Sequence, residues 1–183
     1  YKEQRISKGT SARSQPDDKS EILKLKDVSL EKENRLLTNY SEVDRVLGGG
    51  IVLGSVVLIG GEPGIGKSTL ALQIAMKSNR IKTLYVSGEE SLRQIKLRSS
   101  RLGEEHDNIY LLNETNLEIL FDHCRNFTPD LLIIDSIQTL YSDNLDASPG
   151  SISQVRECST QLLKYAKKSG VPVLIIGHIN KEG

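Results

Sequence analysis

A chain of 183 residues can bury one sizeable core, and its 24 basic side chains balance its 24 acidic ones, so overall charge does not drive it onto nucleic acid or membranes. Two cysteines in no C-x-x-C pair argue against a zinc site or a disulfide framework, and the absence of Trp argues against a base-stacking platform. No apolar run approaches a membrane span, and the free thiols suit a reducing, cytoplasmic setting.

Residues 1–35 are polar and read as an N-terminal segment or linker. Because the chain starts at Tyr1 rather than Met, more sequence is expected upstream. Within this segment a weak alternation from Ile22 to Leu30 predicts an edge strand or irregular packing. A second region, 36–183, carries the apolar pattern of a domain. It opens with a predicted short helix, Ser41 to Leu47, capped by Ser41 and stopped by Gly48-Gly49-Gly50.

The core then alternates strand and helix. Strands are predicted at 56–59, 83–87, 109–112, 131–135 and 171–177, and helices at 67–78, 89–102, 116–126 and 152–169. Leu131 to Ile134 and Val173 to Ile176 are apolar without alternation, as in strands covered on both faces of a parallel sheet. The fold class is therefore α/β, a mostly parallel sheet with helices on both faces. Ser151-x-x-Gln154 reads as a capping box at the start of the last helix, and Gly170 as its stop.

Between the first core strand and its helix lies Gly61-Glu62-Pro63-Gly64-Ile65-Gly66-Lys67-Ser68, followed by Thr69. This is G-x-x-x-x-G-K-S in the strand–loop–helix context that a P-loop requires. Its glycines let the backbone close around phosphates, and the first amides of the helix point at the anion. Lys67 is expected to reach the β- and γ-phosphates of ATP or ADP, and the Ser68 hydroxyl to ligate Mg2+.

Asp135 ends the apolar run beside this loop, where a carboxylate holds magnesium; the alternative is a cap on the next turn. Glu89 and Glu90 follow Thr83 to Ser87. Ser87-x-x-Glu90 fits a capping box, which gives Glu90 a structural role and leaves Glu89 to orient the attacking water and take its proton. The alternative is that both are solvated first-turn glutamates. His178 ends the last strand and lies between the P-loop and Asp135 if that strand is inserted between theirs. There it is placed to sense the γ-phosphate, unless it is simply hydrogen-bonded. Arg93, Lys96, Arg98 and Arg101 spread around one helix and read mostly as solvated. The polar loop 141–150 is long enough to suggest a functional role.

Taken in order, these segments resemble the bacterial RadA (Sms) family. They are Glu42 to Val52, Gly60 to Thr69, Tyr85 to Ser91, Ile134 to Thr139, Ser148 to Ser151 and Gly177 to Gly183. The resemblance covers roughly residues 36–183. It implies a RecA-like P-loop NTPase, similar to DnaB-type hexameric helicases, with a sheet that continues past Gly183. It further implies a DNA-dependent ATPase acting on single-stranded DNA and recombination intermediates, in repair and branch migration, as a homo-hexamer with a recombinase as a possible partner. Lys67, Ser68 and Asp135 take the family's nucleotide and metal positions, Glu89 the catalytic glutamate and His178 the phosphate sensor. The DNA-facing loops fall on 141–150 and on the segment from Asn180, so Arg156 and Lys181 are the expected phosphate contacts. The family's four-cysteine zinc finger is expected ahead of this sequence, and its Lys-Asn-Arg-Phe-Gly motif and Lon-protease-like domain after it. Leu53 stands where the family has Pro, and Asn39 where it has Gly. Two other functions share such a core: a nucleotide-dependent regulatory switch of the clock-protein type, and a domain that binds ATP only to assemble.

Overall fold

The computed structural model describes residues 22, 24–27, 34–78, 80–103 and 107–178. The chain divides into two compact units, residues 1–32 and 33–183. In the first, the described structure is a single 3-10 turn, Leu25–Asp27. Of the stretch from Ile22 to Leu30, expected as an edge strand or irregular packing, only residues 22 and 24–27 are described; they are exposed and include this turn, and the rest lies outside the described residues.

The second unit opens with two short elements that were too brief to show a period. Strand β1 (Arg35–Leu36) pairs antiparallel with β2 (Ile51–Val52) around helix α1 (Ser41–Val46). Gly50 closes this pairing at φ +114°, where a Cβ would stand 2.6 Å from the Leu36 carbonyl oxygen. The predicted Ser41 cap does not form. The N-cap position is Tyr40, and the Asp44 carboxylate instead accepts from the Thr38 amide at 3.0 Å and the Thr38 hydroxyl at 2.8 Å. Asn39 adopts φ +56°, which accounts for a glycine being expected there; Asn is among the residues that tolerate this region.

The remaining elements alternate: β3 (Val56–Gly61), α2 (Lys67–Lys77), β4 (Thr83–Ser87), α3 (Leu92–Leu102), β5 (Ile109–Asn113), α4 (Leu117–Phe127), β6 (Leu131–Asp135), a 3-10 turn at Ile137–Thr139, α5 (Ile152–Ser169) and β7 (Val173–His178). The five strands form one parallel sheet in the order β3-β7-β6-β4-β5. Strand β7 is thus inserted between β3 and β6, the condition on which the placement of His178 rested.

Alternate residues of each central strand feed two separate cores. Leu132, Ile134, Val173 and Ile175 pack with Leu117, Leu120, Cys158 and Leu162 of α4 and α5. Leu131, Ile133, Leu174 and Ile176 pack with Ala71, Leu72, Ile74 and Ile95 of α2 and α3. Burial on both faces is the reason these strands read as unbroken apolar runs. Both cysteines are buried and free, and burial raises each thiol to about 11. Among the described residues no helix is long and apolar enough to cross a membrane.

Candidate nucleotide site

The parallel sheet carries the ends of β3, β4, β6 and β7 to one side, where ligands of such sheets gather. Register puts Gly61 opposite His178, and Ser87 opposite Asp135. From β3 the chain runs through exposed residues 62–66 into α2. Gly64 and Gly66 hold φ of +80° and +99°, and Gly66 is the N-cap of α2. No atom lies within 4 Å of where their Cβ would be, so the loop is open on that side. Such a turn directs successive amides into one concavity, an anion nest at the positive end of a helix dipole. Lys67 is buried, and its Nζ donates to the Gly61 carbonyl at 2.9 Å and the Glu62 carbonyl at 2.8 Å, spanning the loop from within.

Asp135 is buried at the end of β6. Its Oδ2 accepts from the Tyr85 hydroxyl at 2.5 Å, and the same hydroxyl lies 3.5 Å from the Ser68 carbonyl oxygen. One phenol therefore reaches both the first turn of α2 and the carboxylate. Burial, and then the Asp135 charge, push the Tyr85 phenol far above the usual tyrosine value. Ser68 and Asp135 offer oxygen donors, the type that suits Mg2+. Among the described residues no three His, Cys, Asp or Glu side chains cluster as a metal cage.

Glu89 and Glu90 separate as anticipated, by a different device. Helix α3 begins at Leu92, not at 89, and its cap is Ser91, in a complete capping box with Gln94. Ser87 Oγ does accept from the Glu90 amide at 3.1 Å, but the Glu90 carboxylate turns away to pair with Arg98. The expected Ser87–Glu90 box is thus half formed, and Arg98 is a partly buried anchor rather than a solvated cation. Arg93 and Arg101 are exposed, as is Lys96.

Glu89 is left half exposed at the mouth of the site. Its Oε1 accepts from Ser136 Oγ at 3.1 Å and lies 3.7 Å from His178 Nε2. Ser136 is fully buried, and its carbonyl accepts from the Thr139 hydroxyl at 2.8 Å. Gly88, which carries Glu89, donates to the Asp135 carbonyl at 3.2 Å and leaves no room for a Cβ, which would stand 2.3 Å from Thr139 Oγ1. The Gln138 amide nitrogen donates to the His178 carbonyl at 3.2 Å. Gln138 Oε1 and His178 Nδ1 are buried with no hydrogen-bond partner among the described residues.

The structure therefore gathers Lys67, Ser68, Asp135, Glu89 and His178. Arg156 sits apart, exposed on the first half of α5, and Lys181 lies outside the described residues. Sequence reasoning passed over Tyr85 and Ser136. A phenol in a buried strand reads as core, although its position two residues before the strand's end, on the face of the P-loop helix, was a usable signal.

Residues 19–183 match a family described as an AAA domain. The chain belongs to that family. Beyond the AAA domain match, it is 47% identical to the DNA repair protein RadA of Bacillus subtilis over 85% of this chain and 34% of that protein. It is 51% identical to RadA of a Streptococcus pyogenes strain over 91% of the chain and 37% of that protein, and 46% identical to RadA of Listeria monocytogenes over 96% and 39%. The resemblance carried by the motifs is borne out, and this AAA domain chain spans a little over a third of the length of these relatives.

Proposed function

We propose that this domain binds and hydrolyses ATP, and that within its whole protein it drives a motor on single-stranded DNA in recombinational repair. The observation that carries the reading is the meeting of the Lys67 loop with Asp135, Glu89 and His178 at one end of four adjacent strands.

ATP supplies the phosphoryl group and Mg2+ the charge that offsets it. Residues Gly61 to Thr69 cradle the phosphates, with Glu62, Pro63 and Ile65 contributing backbone amides or shape. Lys67 exchanges its two carbonyl partners for phosphate oxygens, so its ammonium keeps strong acceptors throughout. The Ser68 hydroxyl and the Asp135 carboxylate are the oxygen donors that would hold Mg2+, whose charge would offset that of the phosphates. Glu89, steadied by Ser136 Oγ, orients the attacking water and takes its proton. His178 lies 3.7 Å from Glu89 and ends β7, so it is placed to pass the state of the phosphate to the chain that follows.

The motor reading further assigns Arg156 and Lys181 to phosphate contacts on the DNA, 36–183 to the ATPase core and 1–35 to a linker, in a cytoplasmic homo-hexamer able to meet a recombinase. Its support is the similarity to RadA, a DNA repair protein by name. The test is turnover by the full-length protein with and without single-stranded DNA. Stimulation by DNA that disappears in Glu89→Gln is the expected result. Turnover indifferent to DNA would leave an ATPase without the motor, and self-phosphorylation would indicate a regulatory switch.

A further inference from the structure

We infer that Tyr85 is a positioning residue: its buried hydroxyl pins the Asp135 carboxylate beside the first turn of α2 and so sets how strongly a divalent cation tightens nucleotide binding. The inference rests on the nucleotide-site reading above.

Packing alone does not call for this hydroxyl. Tyr85 is 0% exposed and its ring sits in the core formed by Ile133, Leu131, Leu72 and Ile95, where Phe would fill the same space. Such a buried hydroxyl needs an acceptor. The one it finds is the 8%-exposed carboxylate at the end of the neighbouring strand, at 2.5 Å. That is a short, charge-assisted bond, of the strong class. A phenol carries one proton, so the Ser68 carbonyl at 3.5 Å is a near contact rather than a second full bond.

The bond has two consequences for Asp135. It removes the carboxylate's freedom to rotate, because Oδ2 is pinned to a ring that is itself immobilised on all sides. It also leaves the second oxygen to face whatever the site holds. Groups that orient metal-binding side chains in this way typically contribute 10- to 100-fold to metal affinity. The same hydroxyl lies beside the turn that carries Ser68, so the carboxylate it pins is held near the start of α2.

The experiment measures ADP affinity of the full-length protein by calorimetry, in EDTA and then in saturating Mg2+, for wild type, Tyr85→Phe, Asp135→Asn and the double variant. For Tyr85→Phe the expected result is EDTA affinity within twofold of wild type, a modestly lowered thermal midpoint from the lost buried bond, and a tightening by Mg2+ reduced about 10-fold. The double variant should lose no more tightening than Asp135→Asn alone, since Tyr85 acts through Asp135. Full tightening in Tyr85→Phe, additive losses in the double variant, or EDTA affinity weakened as much as the affinity in Mg2+ would each overturn the inference. Lys67→Ala in the same titration is the separate check on the site itself: undiminished ADP affinity there would overturn the nucleotide reading, whatever Tyr85 does.

Discussion

Two loops leave the same end of the sheet and are built on opposite plans. The loop at 62–66 is exposed along its whole length, turns through left-handed glycines, and is spanned from within by the Lys67 ammonium. The loop at 141–150 is packed with the protein's own side chains. The buried Gln154 amide nitrogen lies 3.1, 2.9 and 3.0 Å from the carbonyls of Ser142, Leu145 and Ala147, and its oxygen accepts from the Ser142 amide at 3.0 Å. Glu118 takes the Ser142 hydroxyl and the Asp143 amide, and Asn116 reaches Asp143. One loop keeps its backbone polar groups available to a guest, while the other has satisfied them internally. Changes in the first should therefore cost nucleotide binding and spare stability, and changes in the second should cost stability and spare nucleotide binding.

The largest effect expected on the functional side comes from Glu89. Glu89→Gln should lower turnover by about 10² to 10⁴ while leaving ATP binding intact, since a general base and water-orienting group is lost. Its neighbour supplies the contrast. Glu90→Gln disturbs the Arg98 pair, which is partly buried, and should cost on the order of 1 kcal/mol with turnover little changed. Rate and stability measured on both variants sharpen the division; a rate that falls with Glu90 and survives without Glu89 would reverse the assignment.

Lys67→Ala comes next. Removing a donor aimed at developing phosphate charge should cost about 10² to 10³ in turnover, with the urea midpoint near wild type. Its two carbonyl partners border the exposed loop and can turn to water. A large loss of stability in this variant would break the comparison, because it would make the P-loop lysine a structural brace.

How much of this was legible in the sequence depends on the range of the interaction that decides each feature. Strands β4 and β6 and helix α5 follow the predicted boundaries because their signals are local: unbroken apolar runs, Pro and Gly stops, a serine cap. The P-loop is legible for the same reason. The caps were not. Ser87-x-x-Glu90, Ser91-x-x-Gln94 and Ser151-x-x-Gln154 are equivalent as local patterns, yet only the middle one closes as a full box. Arg98 captures Glu90 from two turns along α3, and the 142–147 carbonyls capture Gln154 from across a loop. Tyr85 belongs with these: its partner Asp135 is distant in sequence, and nothing in β4 itself distinguishes a polar anchor from a core ring.

Gln154→Ala tests the second loop directly. It leaves the buried Ser142 amide and the carbonyls of Ser142, Leu145 and Ala147 in a partly buried turn without this partner, and unsatisfied buried groups cost about 1–3 kcal/mol. Urea denaturation should show that loss, and amide hydrogen exchange should show faster opening confined to 141–150. ATP binding should be unchanged.

The smallest effect is the most discriminating. Gln94 and Gln154 occupy the same third position of a helix after a capping serine, and each serine oxygen accepts from its glutamine's amide, at 3.4 and 3.3 Å. If local pattern governed their worth, alanine at either site would cost the same. The Gln94 side chain, however, reaches only back to Ser91, at 2.9 Å to its amide, on an exposed surface where water can replace it. Gln94→Ala should therefore cost less than about 1 kcal/mol, within the range of a lost cap bond, and well below Gln154→Ala under the same urea titration. Equal losses at the two positions would mean that the packing of the 141–150 loop adds nothing to Gln154, and the contrast between the two loops would fall with it.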